Sequence, residues 1–248
     1  MLEPSAVRRY AKRRLTKEQR RRARLLRARL RRSMLLLRTR KAGDLNRLAL
    51  YYGTDKSSDF HDYMALYGRH FGPRRKSVRS LLEIGVGGIS SWGGYETDAG
   101  GQSLRMWSRY FPNATIVGVD LHPKRVTGPR ILFEQGDQSD ETFLASLVQK
   151  YGPFDIVIDD GSHIGRHVAA SFKALWSGVR PGGLYVIEDL GTAYHPEWEG
   201  GPPGTPGTAA ELIKTLVDDT LCRFRDSFQP SIAAMHVYGE IVFLERNV

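Results

Sequence analysis

Five short apolar segments are separated by polar stretches between residues 80 and 190. Each is rich in Val, Ile and Leu, and none alternates strictly between apolar and polar residues. A strand that is buried on both faces of a parallel sheet has this pattern, because helices cover both of its faces. The segments predict strands at Leu81–Val86, Thr115–Asp120, Arg130–Gln135, Phe154–Asp159 and Gly183–Glu188.

Helix-like segments lie between and after these strands. The alternation of strand and helix is typical of an open, doubly wound α/β sheet. Near the end of the sequence, Ile232–Val237 and Ile241–Leu244 flank Tyr238-Gly239-Glu240, which predicts an antiparallel hairpin that completes the sheet. The helices are predicted at Ser103–Tyr110, Asp140–Tyr151, Ile164–Gly178 and Thr208–Phe224.

Residues 1–41 form a strongly basic segment that differs from the rest of the chain. It contains 17 Lys and Arg residues and two acidic residues, Glu3 and Glu18, whereas the rest contains 20 Lys and Arg against 25 Asp and Glu. Apolar residues such as Leu26 and Leu30 recur at helical spacing, which predicts an amphipathic helix. Three interpretations stay open, namely a solvated helix, a contact with an anionic surface such as lipid, and a contact with nucleic acid.

The charge pattern divides the chain into three parts. We predict a basic helical arm over residues 1–41, a helical lead-in over residues 42–79 and an α/β domain over residues 80–248. The single cysteine, Cys222, excludes an intramolecular disulfide and a multi-cysteine metal site within this sequence. No uncharged apolar stretch reaches the ~18 residues that a membrane-spanning helix needs. A reducing, cytoplasmic location is therefore expected.

A glycine-rich turn follows the first predicted strand, in the sequence Glu83-Ile84-Gly85-Val86-Gly87-Gly88. Glycine lets the backbone approach a ligand closely at the carboxyl end of a parallel strand. Asp120 ends the second predicted strand, where its carboxylate can accept hydrogen bonds from ribose hydroxyls. The turn lacks a G-x-G-x-x-G pattern, which disfavours a dinucleotide. The pattern favours a nucleoside without phosphates, such as S-adenosylmethionine, with Asp137 and Gln138 beside its adenine.

Acidic residues are concentrated at the ends of the fourth and fifth predicted strands. Asp159 and Asp160 precede His163, and Glu188 precedes Asp189. Neighbouring strands lie ~4.7–4.9 Å apart, so these carboxylates are expected to be close together and to repel one another. A hard cation such as Mg²⁺ would relieve this repulsion, because it prefers oxygen ligands. The alternative interpretation is that one of these acids caps a helix.

Several motifs in one order carry a resemblance to a known family. They are Gly53-Thr54-Asp55-Lys56, His61, Tyr63, Leu82–Gly88, Gly100–Trp107, Tyr110-Phe111-Pro112, Gly136–Asp140, Phe154–His163 and Pro181–Leu190. Together they resemble the class I, magnesium-dependent sugar O-methyltransferases, the family of the mycinamicin and demethylmacrocin O-methyltransferases and the methylmannose-polysaccharide methyltransferases. The resemblance covers about residues 50–248.

The resemblance implies a fold and a set of site residues. The fold is a Rossmann-like α/β methyltransferase with a seven-stranded, mostly parallel sheet. Asp160, Glu188 and Asp189 would hold Mg²⁺, His163 would be the general base, and Asp160 would take part in catalysis as well. The residues that would bind S-adenosylmethionine are Thr54, Glu83, Gly85, Gly87, Ser103, Asp120, Asp137, Gln138 and Asp159.

The activity that the resemblance implies is methyl transfer from S-adenosylmethionine to a sugar hydroxyl, in antibiotic or polysaccharide biosynthesis. The acceptor would be a sugar-containing small molecule or an oligosaccharide. A homo-oligomer is expected, located in the cytoplasm or, if the arm binds an anionic surface, at the membrane periphery. The segment Ser90–Ala99 lengthens the chain after the glycine turn, which leaves the acceptor sugar open.

Three alternative functions stay open on the sequence. An RNA methyltransferase guided by the arm is disfavoured because the rest of the chain is net acidic. A binding protein without catalysis is disfavoured because the acidic and histidine set is retained. A metal-dependent hydroxylase is disfavoured because no 2-His-1-carboxylate triad is apparent.

Overall fold

The computed structural model describes residues 44–87, 100–221 and 232–248. The predicted basic arm therefore lies outside the described residues, as do the segment Ser90–Ala99 and the last three residues of the helix predicted at Thr208–Phe224. Within the described residues, seven strands form one sheet in the order β3-β2-β1-β4-β5-β7-β6. The strands are β1 (Ser80–Ile84), β2 (Thr115–Asp120), β3 (Ile131–Gln135), β4 (Phe154–Asp159), β5 (Val179–Ile187), β6 (Ile232–Val237) and β7 (Val242–Arg246).

The pairing of the strands confirms the predicted fold class. Strands β1 to β5 are parallel to one another, whereas β7 lies antiparallel between β5 and β6. The sheet is thus mostly parallel and ends in the antiparallel hairpin predicted from the apolar segments near residue 240.

Alternate residues of the central strands build two separate cores, one on each face of the sheet. Leu81 in β1 packs into one cluster with Ile156 from β4, whereas the next residue, Leu82, packs into the other with Val157. Side chains alternate in this way because successive residues of a strand point to opposite faces. All five residues of β1 are buried, which explains why the sequence shows no polar alternation there.

Helices cover both faces of the sheet. The first three pack on the face that contains Leu81, and the other three pack on the face that contains Leu82. Asp140 caps the fourth helix, since its carboxylate accepts hydrogen bonds from the amides of Thr142 and Phe143. The helices are α1 (Leu45–Tyr52), α2 (Met64–Phe71), α3 (Gln102–Tyr110), α4 (Glu141–Tyr151), α5 (Gly165–Leu175) and α6 (Ala209–Leu221).

Strands β3 and β5 differ most from their predicted form, and β1 ends at Ile84, two residues before its predicted end at Val86. Strand β3 was expected to be buried on both faces, but it lies at the edge of the sheet, and Leu132 is 40% exposed. Strand β5 begins at Val179, four residues before the predicted start at Gly183. Its register against β4 shifts between Val179 and Leu184, so the sheet accommodates the intervening Pro and Gly residues as an irregularity.

The described helices are all too short to cross a bilayer. The longest of them, α6, has 13 residues, and no helix within the described ranges combines the length and apolar character that a membrane span requires.

Candidate active site

The carboxyl ends of β1, β4 and β5 meet at one edge of the sheet. In the sheet register, Asp159 lies beside Ile84 on one side and Ile187 on the other. The pairing continues past the strand ends, because the amide of Asp160 donates to the carbonyl of Ile84 at 2.9 Å and that of Glu188 to the carbonyl of Asp159 at 3.0 Å. The backbone segments that carry the acidic residues therefore lie next to one another, as parallel pairing requires.

Asp160, His163 and Asp189 converge on one point above this edge. One ligand atom from each lies within 4.8 Å of the other two. The side chains of His163 and Asp189 are each 20% exposed, and that of Asp160 is 19% exposed, so an ion or a substrate from solvent can reach all three. His163 Nε2 lies 3.6 Å from Asp189 Oδ2. The group combines two carboxylates with one imidazole.

Two members of this group have an uncommon backbone conformation. His163 has a φ of 59° and Asp189 a φ of 55°, which is the left-handed region that residues other than glycine seldom occupy. Asp and His adopt this region more readily than most residues, and Asp62, Arg130 and Glu199, which lie outside the group, also have a positive φ. The conformation turns Asp189 toward His163 rather than continuing β5.

A buried tyrosine orients Asp189. The hydroxyl of Tyr63 donates to Asp189 Oδ1 at 2.6 Å, and His61 Nδ1 lies 3.6 Å from the same oxygen. Burial and this hydrogen bond raise the pKa of Tyr63 far above its ordinary value, so the tyrosine remains a donor. Tyr63 and His61 belong to the motifs described above, but their spacing indicated no role.

Glu188 points away from this group, into the protein. Its side chain is buried, Oε2 lies 2.8 Å from Lys56 Nζ, and Oε1 accepts a hydrogen bond from the hydroxyl of Tyr67. Burial raises the pKa of Glu188, and repulsion from Asp160 raises it further. The assignment of Glu188 as a metal ligand stays a prediction.

Lys56 is a charged residue of this site to which the sequence analysis gave no role. Its side chain is 1% exposed, and Nζ lies 2.5 Å from Asp160 Oδ2, 2.8 Å from Glu188 Oε2 and 3.6 Å from Glu83 Oε1. Burial alone would lower the pKa of Lys56, but these carboxylates outweigh burial and raise it well above its ordinary value. The only signal in the sequence was its place in the Gly53-Thr54-Asp55-Lys56 motif.

The glycine turn after β1 lies directly against Asp160. Gly85 has a φ of +84°, and a Cβ added there would be 1.8 Å from the carbonyl oxygen of Asp160. Asp120 holds the turn on its other side, because Oδ2 accepts a hydrogen bond from the amide of Val86 at 3.1 Å and Oδ1 accepts one from the amide of His122 at 2.9 Å. A carboxylate has about four acceptor positions, so Asp120 retains acceptor capacity for a ligand.

Two predicted cofactor residues, Glu83 and Ser103, are buried beneath the glycine turn. Ser103 Oγ donates to Glu83 Oε2 at 2.8 Å, and Glu83 is 0% exposed. Burial raises the pKa of Glu83 to about 7, although the nearby Lys56 opposes this effect.

Asp159 and Gln138 are also buried, and they fix the turn that carries Asp160 and His163. Gln138 Nε2 donates to Asp159 Oδ1 at 2.6 Å, and Gln138 Oε1 accepts from the amide of Ser162 at 2.8 Å. Burial raises the pKa of Asp159 to about 6, against a hydrogen bond from Ser171 that lowers it.

Two further predicted cofactor residues, Asp137 and Thr54, differ in their exposure to solvent. Asp137 is exposed, and hydrogen bonds from the amide and hydroxyl of Ser139 lower its pKa. Thr54 is buried, and its Oγ1 accepts from the amide of Lys56 at 3.3 Å. The predicted residues thus form an accessible set and a buried set. The accessible or partly accessible residues are Gly85, Gly87, Asp120, Asp137, Asp160, His163 and Asp189, and the buried ones are Thr54, Glu83, Ser103, Gln138, Asp159 and Glu188.

Replacing Gly85 by alanine is expected to destabilise the protein. A positive φ costs an alanine roughly 1–2 kcal/mol. The overlap with the carbonyl of Asp160 adds about 1–3 kcal/mol, since neither backbone can yield freely. Chemical denaturation of the variant and the parent protein measures the loss.

Gly182→Ala is the matched control for this variant. Gly182 also has a positive φ, +73°, but a Cβ there meets nothing within 4 Å among the described residues. It should therefore show only the smaller, conformational loss. Equal losses in the two variants would contradict the close approach of Gly85 to Asp160.

Comparison with known proteins identifies relatives over most of the chain. The mycinamicin VI 2''-O-methyltransferase of Micromonospora griseorubida is 43% identical over 215 residues, which are 82% of this chain and 53% of that protein. The demethylmacrocin O-methyltransferase of Streptomyces fradiae is 42% identical over 216 residues, which are 83% of this chain and 53% of that protein. No family model matches the chain.

A solved structure is also similar to this chain. The MycE methyltransferase from the mycinamycin biosynthetic pathway, solved in complex with Mg, SAH and mycinamycin VI, superimposes with a TM-score of 0.74. It is 45% identical in sequence, and the match covers 82% of this chain and 54% of that one. SAH is S-adenosylhomocysteine, the product that S-adenosylmethionine leaves after it donates its methyl group.

This chain spans about half the length of the curated relatives that it matches. Over this span the chain is similar to the class I, magnesium-dependent sugar O-methyltransferases, which include the mycinamicin VI and demethylmacrocin O-methyltransferases.

Proposed function

We propose that this chain transfers a methyl group from S-adenosylmethionine to a sugar hydroxyl of a glycosylated natural product, with the assistance of Mg²⁺. The observation that carries the proposal is the convergence of Asp160, His163 and Asp189 beside the glycine turn of β1. The relatives support the substrate class, because the names of two further ones contain the glycosylated acceptors rhamnosyl tetracenomycin C and olivosyl-oleandolide.

The donor set fits a magnesium ion. Asp160 and Asp189 offer accessible carboxylate oxygens within 4.8 Å of each other, and Mg²⁺ prefers oxygen ligands. We propose that these two residues hold the ion and that Glu188 contributes if its side chain turns from Lys56. When bound, Mg²⁺ acts as a Lewis acid that lowers the pKa of a sugar hydroxyl.

The glycine turn and Asp120 fit the nucleoside of S-adenosylmethionine. Gly85 has no side chain, so the backbone between β1 and Asp160 can approach a ligand closely. Asp120 is held at the end of β2 by two backbone amides, and its carboxylate can accept further hydrogen bonds from ribose hydroxyls. The buried Gln138 and Asp159 support this surface from below.

His163 is proposed to accept the proton of the sugar hydroxyl at Nε2. Imidazole is the side chain that most often transfers a proton near neutral pH. Asp189 Oδ2, 3.6 Å from Nε2, stabilises the positive charge that the imidazole then carries. The oxygen that loses this proton attacks the methyl carbon of S-adenosylmethionine, the bond from that carbon to the sulfonium sulfur breaks, and its electron pair leaves with S-adenosylhomocysteine. Alignment of the two substrates contributes up to ~7–11 kcal/mol to the lowering of the barrier.

A binding and transfer experiment tests the proposal. We expect calorimetry to show binding of S-adenosylmethionine, and we expect methyl transfer to a panel of glycosides that stops with EDTA and returns with excess Mg²⁺. An RNA substrate belongs in the same panel as the alternative acceptor. Transfer that persists in EDTA would contradict the magnesium site. Failure to bind S-adenosylmethionine would contradict the proposed function as a whole.

Other features of the chain remain proposals. They are the three-part division at residues 41 and 79, a homo-oligomeric state, a cytoplasmic location and a contact of the arm with an anionic surface. The arm lies outside the described residues, so only the charge of residues 1–41 supports the last of these. Deletion of residues 1–41 should abolish binding to anionic liposomes, and unchanged binding would contradict the contact.

A further inference from the structure

Lys56 lies where carboxylates from three neighbouring strands converge. Glu83 belongs to β1, Asp160 follows β4 and Glu188 follows β5, whereas Lys56 comes from the segment between α1 and α2. Its ammonium group lies within 3.6 Å of an oxygen of each, and its side chain is 1% exposed. Glu83 Oε1 has no hydrogen-bond partner in the part of the chain that the structure describes, so Lys56 is the cation that compensates it.

We propose that Lys56 is a positioning residue, an internal cation that holds the carboxylate of Asp160 in the arrangement that binds Mg²⁺. This inference rests on the proposed function, because it takes the group of Asp160, His163 and Asp189 as a magnesium site. It adds a residue that touches neither the ion nor the substrate but acts through Asp160.

The contacts of Asp160 support this role. Asp160 Oδ2 lies 2.5 Å from Lys56 Nζ, and the backbone of Asp160 is fixed by its amide hydrogen bond to Ile84 and by the close approach of Gly85. The ammonium therefore determines the orientation of the Asp160 carboxylate, which could otherwise rotate about the side-chain bonds. Groups that orient metal ligands in this way change metal affinity by about 10–100-fold when they are removed.

A simpler electrostatic model predicts the opposite change in the affinity for Mg²⁺ when Lys56 is removed. If Lys56 only repelled the ion, its removal would leave more negative charge near the site and Mg²⁺ would bind more tightly. If Lys56 positions the ligands, its removal leaves Asp160, Glu188 and Glu83 to repel one another, and their side chains separate. Mg²⁺ would then bind more weakly. The direction of the change in affinity distinguishes the two roles.

The test is a titration of the protein with Mg²⁺ alone, by calorimetry, without substrate. For Lys56→Met we expect the affinity for Mg²⁺ to fall by about 10–100-fold. The same affinity as in the parent protein, or a higher one, would overturn the proposal. If the parent protein itself binds no Mg²⁺, the proposed magnesium site fails first, and the two failures are thus distinguishable.

Arg246→Met is the matched control. Arg246 donates to the carbonyls of Trp176, Ser177 and Val179, at the opposite end of β5. Its loss removes one positive charge and several hydrogen bonds, so it should lower thermal stability without changing the affinity for Mg²⁺. A fall in affinity as large as that of Lys56→Met would show a general effect of stability and would overturn the proposal.

Lys56→Arg keeps the test decisive if Lys56→Met does not fold. Arginine retains the charge, but its planar group cannot place donors toward three carboxylates from a single atom as an ammonium does. We expect its affinity for Mg²⁺ to lie between that of the parent protein and that of Lys56→Met. If only the arginine variant folds, its affinity should be lower than that of the parent protein. Full parental affinity in Lys56→Arg would contradict a role that depends on position.

Discussion

His163→Gln is expected to lower kcat by about 10²–10⁴-fold, because removal of a general base typically has an effect of this size. Binding of S-adenosylmethionine should be retained, since His163 lies on the turn after β4, on the side of Asp189. Steady-state methyl transfer and calorimetric titration with S-adenosylmethionine measure the two effects separately. Near-normal turnover would contradict the role of His163 as the base.

Two further measurements test this interpretation. Mg²⁺ affinity distinguishes a base from a metal ligand, because a hard ion held by Asp160 and Asp189 should lose little affinity when an imidazole is removed. His236→Gln is the control substitution. His236 lies on the edge strand β6, with its ring against that of His70, so the same chemical change there should leave kcat close to that of the parent protein.

Asp189→Asn is expected to raise the Mg²⁺ concentration needed for half-maximal turnover by at least about 10-fold, a minimum set by the losses seen when groups around a metal are removed. Asparagine retains an oxygen that can accept the hydrogen bond of Tyr63, so the fold should be little affected. The negative charge is lost, however, and an amide oxygen attracts a divalent cation less strongly. Activity measured across a series of Mg²⁺ concentrations shows the shift, and saturating Mg²⁺ should restore part of the rate.

Asp218→Asn is the control for this charge change. Asp218 is exposed on α6, outside the group formed by Asp160, His163 and Asp189. The same change of one charge should leave the Mg²⁺ requirement unaltered. If Asp189→Asn also left it unaltered, Asp189 would not be a ligand and the magnesium site would have to be placed elsewhere.

The hydrophobic pattern was sufficient for the bounds of β2 and β4. Strands β2 and β4 have the observed bounds Thr115–Asp120 and Phe154–Asp159, which are also the predicted ones. Both strands have neighbours on each side and helices on each face, so their apolar residues report their burial directly. The pattern was less informative for β3 and β5. An edge position and a register shift depend on which segments lie next to the strand, and the local sequence does not contain this information.

The sequence by itself predicted which edge of the sheet carries the acidic residues and the glycine turn. Asp160 and Asp189 follow strands of a parallel sheet, so chain order and strand pairing place them at the same edge, and the glycine turn of β1 belongs there for the same reason. Only the tertiary structure decided the directions of the side chains. The left-handed backbone at Asp189 turns its carboxylate toward His163, whereas the preceding Glu188 points inward.

Lys56 shows most directly what only the tertiary structure decided. It lies 104 residues from Asp160 and 132 residues from Glu188 along the chain, yet it contacts both. A buried charge requires a partner, but the sequence does not state which charges will be buried or which will meet. That choice is made when the segment between α1 and α2 packs over the ends of β1, β4 and β5, and it joins the lead-in residues to the carboxylates of the candidate site.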